Sequence, residues 1–235
     1  MTRITDPDFL KSVFFWLLSS PQTVRSATEE VVIEEILAGD SYHMVADVGC
    51  GGGGYLLRLL APRSQSAVGI EIDDYLVRLA ARRLDKAATP SRLEVLQGSV
   101  DRIPLAAESL DLVLCTQVLE HVADVAGGIR EIHRVLRPSG RAVLAIPIQP
   151  DPCFNEGHIH PDLSPDAFDA FVAANGFLIE NRRTCTFLLS RAVIWLTGHL
   201  HVPLPLVPLC RLEQATSKFM RWPRPYTYIC VAAKR

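Results

Sequence analysis

Chemistry in this sequence concentrates in a few short stretches. The first is "VADVGCGGGGYLLRLL", in which five of the six residues from Gly49 to Gly54 are glycine and Asp47 stands just ahead. Gly49, Gly51 and Gly54 fit G-x-G-x-x-G, and Asp47 with Gly49, Gly51 and Gly53 fits D-x-G-x-G-x-G. Either pattern brings a ligand against bare backbone and aims the free N–H groups of a helix start at it. No Lys-Ser/Thr pair follows, which excludes a Walker phosphate loop. The second feature is Glu71, 22 positions after Gly49, where a carboxylate can accept both hydroxyls of a ribose. Together these point to an adenosine-containing cofactor without choosing which. The third is "EGHIHPDLSP", a polar, proline-bounded stretch carrying His158 and His160. Either histidine can serve as a base or simply shape a loop. Asp162 nearby does not complete a convincing ligand set, and no metal is expected. His133 falls inside an amphipathic helical pattern and reads as surface or packing, and Glu120 reads as a solvated or capping acid.

Alternating elements position these residues. Residues 7–38 read as helical, with Gly39 as the stop. "HMVADVG", "SAVGIEI", "RLEVLQG", "SLDLVLCT" and "GRAVLAIPI" read as strands. Between them, "GYLLRLLA" reads as a helix ended by Pro62. "DDYLVRLAARRLDKAA" reads as a helix capped by Asp73 or Asp74, and "DVAGGIREIHRVLRP" as a helix stopped before Pro138. This alternation predicts an α/β fold with a parallel sheet and right-handed crossovers. Beyond Pro150, a helix capped by Ser164 and stopped at Gly176 precedes strands at "FLIENRRTC" and "YTYICVAAK". One domain is expected over residues 1–235, with a helical cap at 1–40, a cofactor-binding core at 44–150 and an acceptor-side remainder at 151–235.

Several of these segments, in order, resemble the class I S-adenosylmethionine-dependent methyltransferases. "VADVGCGGGG" looks like their first motif and "VGIEIDDYLVRLAARR" like their second strand and helix. "GSVDRIPLAAESLDLVLCTQVLEHVAD" and "IREIHRVLRPSGRAVLAIP" resemble the stretches that follow. The resemblance implies a Rossmann-like three-layer sandwich with a mostly parallel seven-stranded sheet, an antiparallel C-terminal strand, and added N- and C-terminal helices. It implies S-adenosyl-L-methionine as cofactor. The backbone of Gly49, Cys50, Gly51 and Gly53 would pack on its methionyl part, and Asp47 would hold the loop or an amino group. Glu71 would take the ribose hydroxyls, with Ile72 beside the adenine, Ser99 and Val100 at its edge, and Gln117 near the methionine. Relatives commonly carry Asp where this chain has Ser99. His121, in "LEHV", falls after the fourth strand, near the cofactor, either bonding its own loop or facing the acceptor. The implied reaction is in-line methyl transfer to oxygen or nitrogen of a small-molecule, natural-product, lipid- or glycan-linked acceptor. The competing reading is a silent subunit that only holds the cofactor.

Bulk composition narrows the partners. The chain has 235 residues, is 49% hydrophobic and carries a net charge of −2, so no basic excess points to nucleic acid. Its six cysteines include no CxxC pair, and a reduced, cytoplasmic setting is expected. Phe9–Leu18 and Phe187–Cys210 are apolar. Pro203, Pro205 and Pro208 argue against a membrane span in the second. Four uses stay open for these stretches: an extra buried helix, a roof over the acceptor, a homodimer interface, or a peripheral membrane contact.

Overall fold

The computed structural model describes residues 21–148, 159–160, 163–200, 206–223 and 225–235. Phe9–Leu18, His158 and Asp162 lie outside the described residues. Helix α1 (Pro21–Ile36) leads to strand β1 (Tyr42–Val48), with Gly39 between them at φ +84°. Then come β2 (Ser64–Glu71), α2 (Asp74–Leu84), β3 (Arg92–Gln97) and β4 (Leu110–Thr116). They are followed by α3 (Val125–Val135), β5 (Leu136–Pro147), α4 (Pro165–Ala174) and β6 (Phe177–Cys185). Helices α5 (Leu188–Leu200) and α6 (Val207–Thr216) precede the last strand, β7 (Thr227–Lys234).

The seven strands form one sheet in the order β3-β2-β1-β4-β5-β7-β6. The β1–β2, β1–β4, β2–β3 and β4–β5 pairs are parallel, and the C-terminal strands are antiparallel. β1 is therefore central and its neighbours diverge in sequence from it, which places the switch point of the sheet at its carboxyl end. The strands there are buried on both faces, as their unbroken apolar runs require. Val45, Ala46 and Val48 of β1 and Leu112, Val113 and Leu114 of β4 are at most 1% exposed. Ile129, Ile132 and Val135 of α3 and Phe168 and Val172 of α4 join this core. Asp73 caps α2 by accepting from Leu76 N–H at 3.0 Å, and Ser164 caps α4 by accepting from Ala167 N–H at 3.2 Å.

Two elements differ from the sequence expectation. The segment after the glycine loop is not a regular α-helix. It is a π-helical turn, Leu56–Leu60, running into a 3-10 turn, Ala61–Arg63. Ala61 N–H closes onto the Leu56 carbonyl, and Pro62 has no N–H with which to continue the ladder. β5 begins at Leu136 rather than at Gly140. Leu110 pairs with Leu136 and Leu112 with Arg141, so a bulge in β5 absorbs Pro138, Ser139 and Gly140.

The described chain forms two compact units. One holds the sheet with α2, α3 and α4. The other holds α1, α5 and α6, with a core of Val24, Ala27, Val193, Ile194, Val207 and Cys210. In this second unit the buried Glu213 carboxylate of α6 accepts from the N–H groups of Leu189 (2.6 Å) and Ser190 (2.9 Å). These are first-turn donors of α5 that have no partner within that helix. Thr28 and Thr186 share a hydroxyl hydrogen bond of 2.6 Å, and Gln214 Oε1 accepts from Thr186 N–H at 3.1 Å.

Candidate active site

β1 delivers Asp47 and the glycine loop to the switch point. Gly49, Gly51 and Gly53 have φ of +75°, +52° and +75°, angles that L side chains resist. The loop is pinned from β2: Gly49 and Cys50 donate N–H to the Ile70 carbonyl at 2.8 and 3.0 Å. Space is tight at Gly49, where an added Cβ would lie 2.2 Å from Val118 Cγ2. Space is open at Gly51, where a Cβ would meet nothing within 4 Å. Cys50 turns its side chain away, onto Gly69 of β2, and can offer a ligand only backbone. Burial pushes its thiol up, as do the nearby carboxylates of Asp47 and Glu71.

Two carboxylates flank the loop. Glu71 is 7% exposed. Its Oε2 accepts from Gly51 N–H at 2.8 Å, and its Oε1 accepts from Ile72 and Asp73 N–H at 2.9 and 3.0 Å. Three backbone donors thus fix the carboxylate, and its remaining lone pairs are left for a ligand. Asp47 is buried and accepts from Leu56 N–H, while its Oδ2 has no hydrogen-bond partner. Burial, reinforced by the Glu71 charge and opposed by the Leu56 bond, raises its pKa to about 7. A buried carboxylate oxygen without a donor is a vacancy in the bonding pattern that a cationic or N–H group fills.

Past the loop, a cleft of about 860 Å³ is lined by Ile72, Gln97, Ser99, Asp101, Arg102 and Pro104 among others. Ile72 is 68% exposed, an aliphatic surface suited to a flat ring. Ser99 lines this cleft, and its carbonyl accepts from Arg102 N–H at 3.1 Å. Val100 does not face outward: its side chain belongs to the core beneath α3, in contact range of Gly128. Only its main chain is left for a ligand.

At the end of β4, Gln117 has φ +57° and donates its N–H to Ala145 at 2.9 Å. Glu120 corrects the expectation of a solvated acid, because it is 1% exposed. His121 places Nε2 3.9 Å from Glu120 Oε1. Residues 159–160 hydrogen-bond onto this same turn. Ile159 N–H donates to the Glu120 carbonyl at 2.9 Å, and His160 Nε2 lies 2.8 Å from the Val122 carbonyl. A carbonyl only accepts, so that nitrogen of His160 carries the proton and holds the loop. His121 and His160 are thereby brought to one turn. His133 sits elsewhere, edge-on to Phe177 at 5.2 Å, and burial lowers its pKa, helped by Lys234. Among the described residues, no group of three or more His, Cys, Asp or Glu side chains is placed to hold a metal ion.

Sequence reasoning missed Arg83. From the last turn of α2 its Nη1 donates to the Gly52 carbonyl at 2.9 Å, latching the loop from outside. It also missed the Val118 contact under Gly49. Neither partner is close to the loop in sequence, so no local signal announced them.

Residues 46–144 match the family model of a methyltransferase domain. That segment is similar to the class I S-adenosylmethionine-dependent methyltransferases. The ubiquinone biosynthesis O-methyltransferase of Pseudomonas paraeruginosa is 35% identical over 112 residues, covering 46% of each chain. The 24-methylenesterol C-methyltransferase 2 of Oryza sativa subsp. japonica is 32% identical over 118 residues, 49% of this chain and 32% of that one. The chain thus spans from about a third to about a half of the length of these relatives. Among solved structures, the cyclase SpnF superposes with a TM-score of 0.67 at 19% identity, covering 90% of this chain and 81% of that one. YcgJ of Bacillus subtilis superposes with a TM-score of 0.62 at 20% identity, covering 88% and 98%. At these identities the two structures establish the fold.

The cofactor of the family is S-adenosyl-L-methionine, and the residues present fit it. The partnerless Asp47 oxygen suits an ammonium group, the open backbone at Gly51 suits close approach, and the oriented Glu71 carboxylate suits paired hydroxyls.

Proposed function

We propose that this chain transfers a methyl group from S-adenosyl-L-methionine to an oxygen or nitrogen of a small, apolar or lipid-linked acceptor. The observation that carries the reading is the constellation around Gly51: a buried Asp47 oxygen without a donor, a loop with open space over it, and Glu71 locked by three amides. The bound cofactor supplies an electrophilic methyl group on a sulfonium. Asp47 accepts from the ammonium of its methionyl part and Glu71 from its ribose hydroxyls. Ile72 and the Ser99 edge of the cleft hold its adenine, and Gln117 lines the methionine side.

With a good leaving group, most of the acceleration comes from fixing acceptor and methyl in line. The acceptor must also shed a proton. His121, half-exposed and close to the buried Glu120, takes that proton, while His160 holds the neighbouring loop. An apolar acceptor is supported by relatives named for ubiquinone biosynthesis and for a sterol.

The test has two stages. Calorimetry with S-adenosylmethionine, S-adenosylhomocysteine and NAD should show the first two binding and NAD not. Incubation with methyl-labelled cofactor and a fractionated metabolite extract should then transfer label to an organic-phase product. Tight NAD binding overturns the cofactor assignment. Cofactor binding without labelled product from any fraction makes the chain a cofactor-holding subunit.

A further inference from the structure

Helix α6 is apolar on two faces. Val207 and Cys210 face the core of their unit, while Leu209 and Leu212 are 44% and 58% exposed on the other side. A helix in a soluble assembly normally keeps its second face polar. The exposed stripe continues beyond the helix end. Phe219 is 81% exposed and Met220 55%, and the spacing 209, 212, 216, 219/220 keeps one side of a helical path.

The tip is held in place. Phe219 and Met220 both donate N–H to the Thr216 carbonyl, at 2.9 and 3.0 Å. Trp222 donates its N–H to the Met220 carbonyl at 3.1 Å and its Nε1–H to Thr216 Oγ1 at 3.2 Å. These large apolar side chains are therefore displayed by a closed turn and need little further ordering to engage a partner.

The charges at the tip of the stripe are basic, while Arg211, nearer the start of α6, is ion-paired with Glu30 of α1 at 3.1 Å. From Leu206 to Pro223 the basic residues are Arg211, Lys218 and Arg221, and the sole acid is Glu213, which is 3% exposed and turned onto the start of α5. Lys218 Nζ lies 5.2 Å from the Phe219 ring centroid, so a cation and the most exposed aromatic share the tip. Aliphatic and aromatic groups rimmed by cations fit the headgroup–acyl boundary of a membrane bearing anionic lipids. A two-fold pairing of chains fits less well, because it sets the same patch against itself and cations against cations. Among the described residues, no helix is long and apolar enough to cross a membrane, so the contact would lie on the surface.

We propose that Leu209, Leu212, Phe219 and Met220, with Lys218 and Arg221, form a docking surface for anionic lipid membranes. It is independent of the methyl-transfer reading. The test is co-sedimentation of the full chain with vesicles of phosphatidylcholine alone and of equimolar phosphatidylcholine and phosphatidylglycerol. The chain should pellet with the anionic vesicles and not the neutral ones, and added salt should release it. Lys218→Glu/Arg221→Glu should weaken binding more than about tenfold, and Phe219→Ser/Met220→Ser should do the same. Both doubles should keep wild-type circular dichroism, since these side chains are exposed. A chain that stays in the supernatant with anionic vesicles, or doubles that pellet like wild type, overturns the proposal. So does a dimer in sedimentation velocity that Phe219→Ser/Met220→Ser converts to monomer, which would give the surface to a second copy.

Discussion

If Asp47 holds the cofactor as proposed, it ties cofactor affinity to pH. Its pKa in the free protein is about 7, above the ordinary carboxylate value of about 4. The folded state therefore holds a proton that the unfolded chain has released between about pH 4 and 7, and folding stability falls as pH rises across that window. The loss is complete above the folded value and absent below the unfolded one. Asp47→Asn should thus raise the stability of the cofactor-free protein at pH 8, by on the order of 1–4 kcal/mol, and change little at pH 4. Urea titrations at the two pH values measure this. On the proposed reading the same substitution removes the anion that would face the cofactor's ammonium, so S-adenosylhomocysteine affinity should fall at pH 8. For the unaltered protein, affinity should climb as pH approaches 7 and then level, with proton release visible in calorimetry across buffers. Gly51→Val belongs at this scale too. The site has room for a side chain but φ +52°, so valine is strained and fills the ligand's approach. Binding should be abolished while circular dichroism stays native.

The glycine loop works as an element because β2, α2 and the turn after β4 grip it. At Gly49 an added methyl meets Val118 at 2.2 Å, and overpacking of this kind costs about 1–3 kcal/mol. Gly49→Ala should therefore lower stability by that order, and Val118→Ala in the same chain should recover part of it. The remainder reflects the positive φ. A denaturant-melt double-mutant cycle reads the coupling, and additive losses would show that the loop does not bear on Val118. Arg83→Ala should weaken cofactor binding about threefold with little change in stability, since a surface bond to one carbonyl is modest. The succession of strands and helices, the Ser164 cap and a cap at Asp73 or Asp74 were legible in the sequence because each is a local pattern. The start of β5 was not: Leu136 joins the sheet only because Leu110 lies opposite it, and Pro138 and Gly140 mask that pairing. Glu120 misled for a similar reason: it is buried in a turn to which residues 159–160, distant in sequence, hydrogen-bond, and no local pattern announces that.

For the molecule as a whole, a ligand that binds only the folded state adds stability. At a hundredfold excess over its Kd, S-adenosylhomocysteine should contribute about 2.7 kcal/mol. For a chain of this length that raises Tm by roughly 5–10 °C. NAD at the same concentration should leave Tm unchanged, and Asp47→Asn should lose most of the shift. Differential scanning calorimetry measures all three. The methyltransferase domain was legible because its motifs fall in order along residues 46–144. The acceptor was not, because it is chosen by side chains that no common motif records.

Glu71 also limits what a designer could change here. Nucleotide preference in open α/β sheets turns on the acid at the end of the second strand, which gives way when a 2′-phosphate must be admitted. In this chain that acid is also a strut, accepting from Gly51, Ile72 and Asp73. Replacing it with a cation would add a repulsive donor where three amides already point and would release Gly51 from its anchor. A single exchange would then dismantle the loop before it could retune the ligand. A successful redesign would first need a substitute acceptor for the Gly51 amide, so this position resists drift toward other nucleotides for architectural reasons, apart from any selection on the reaction itself.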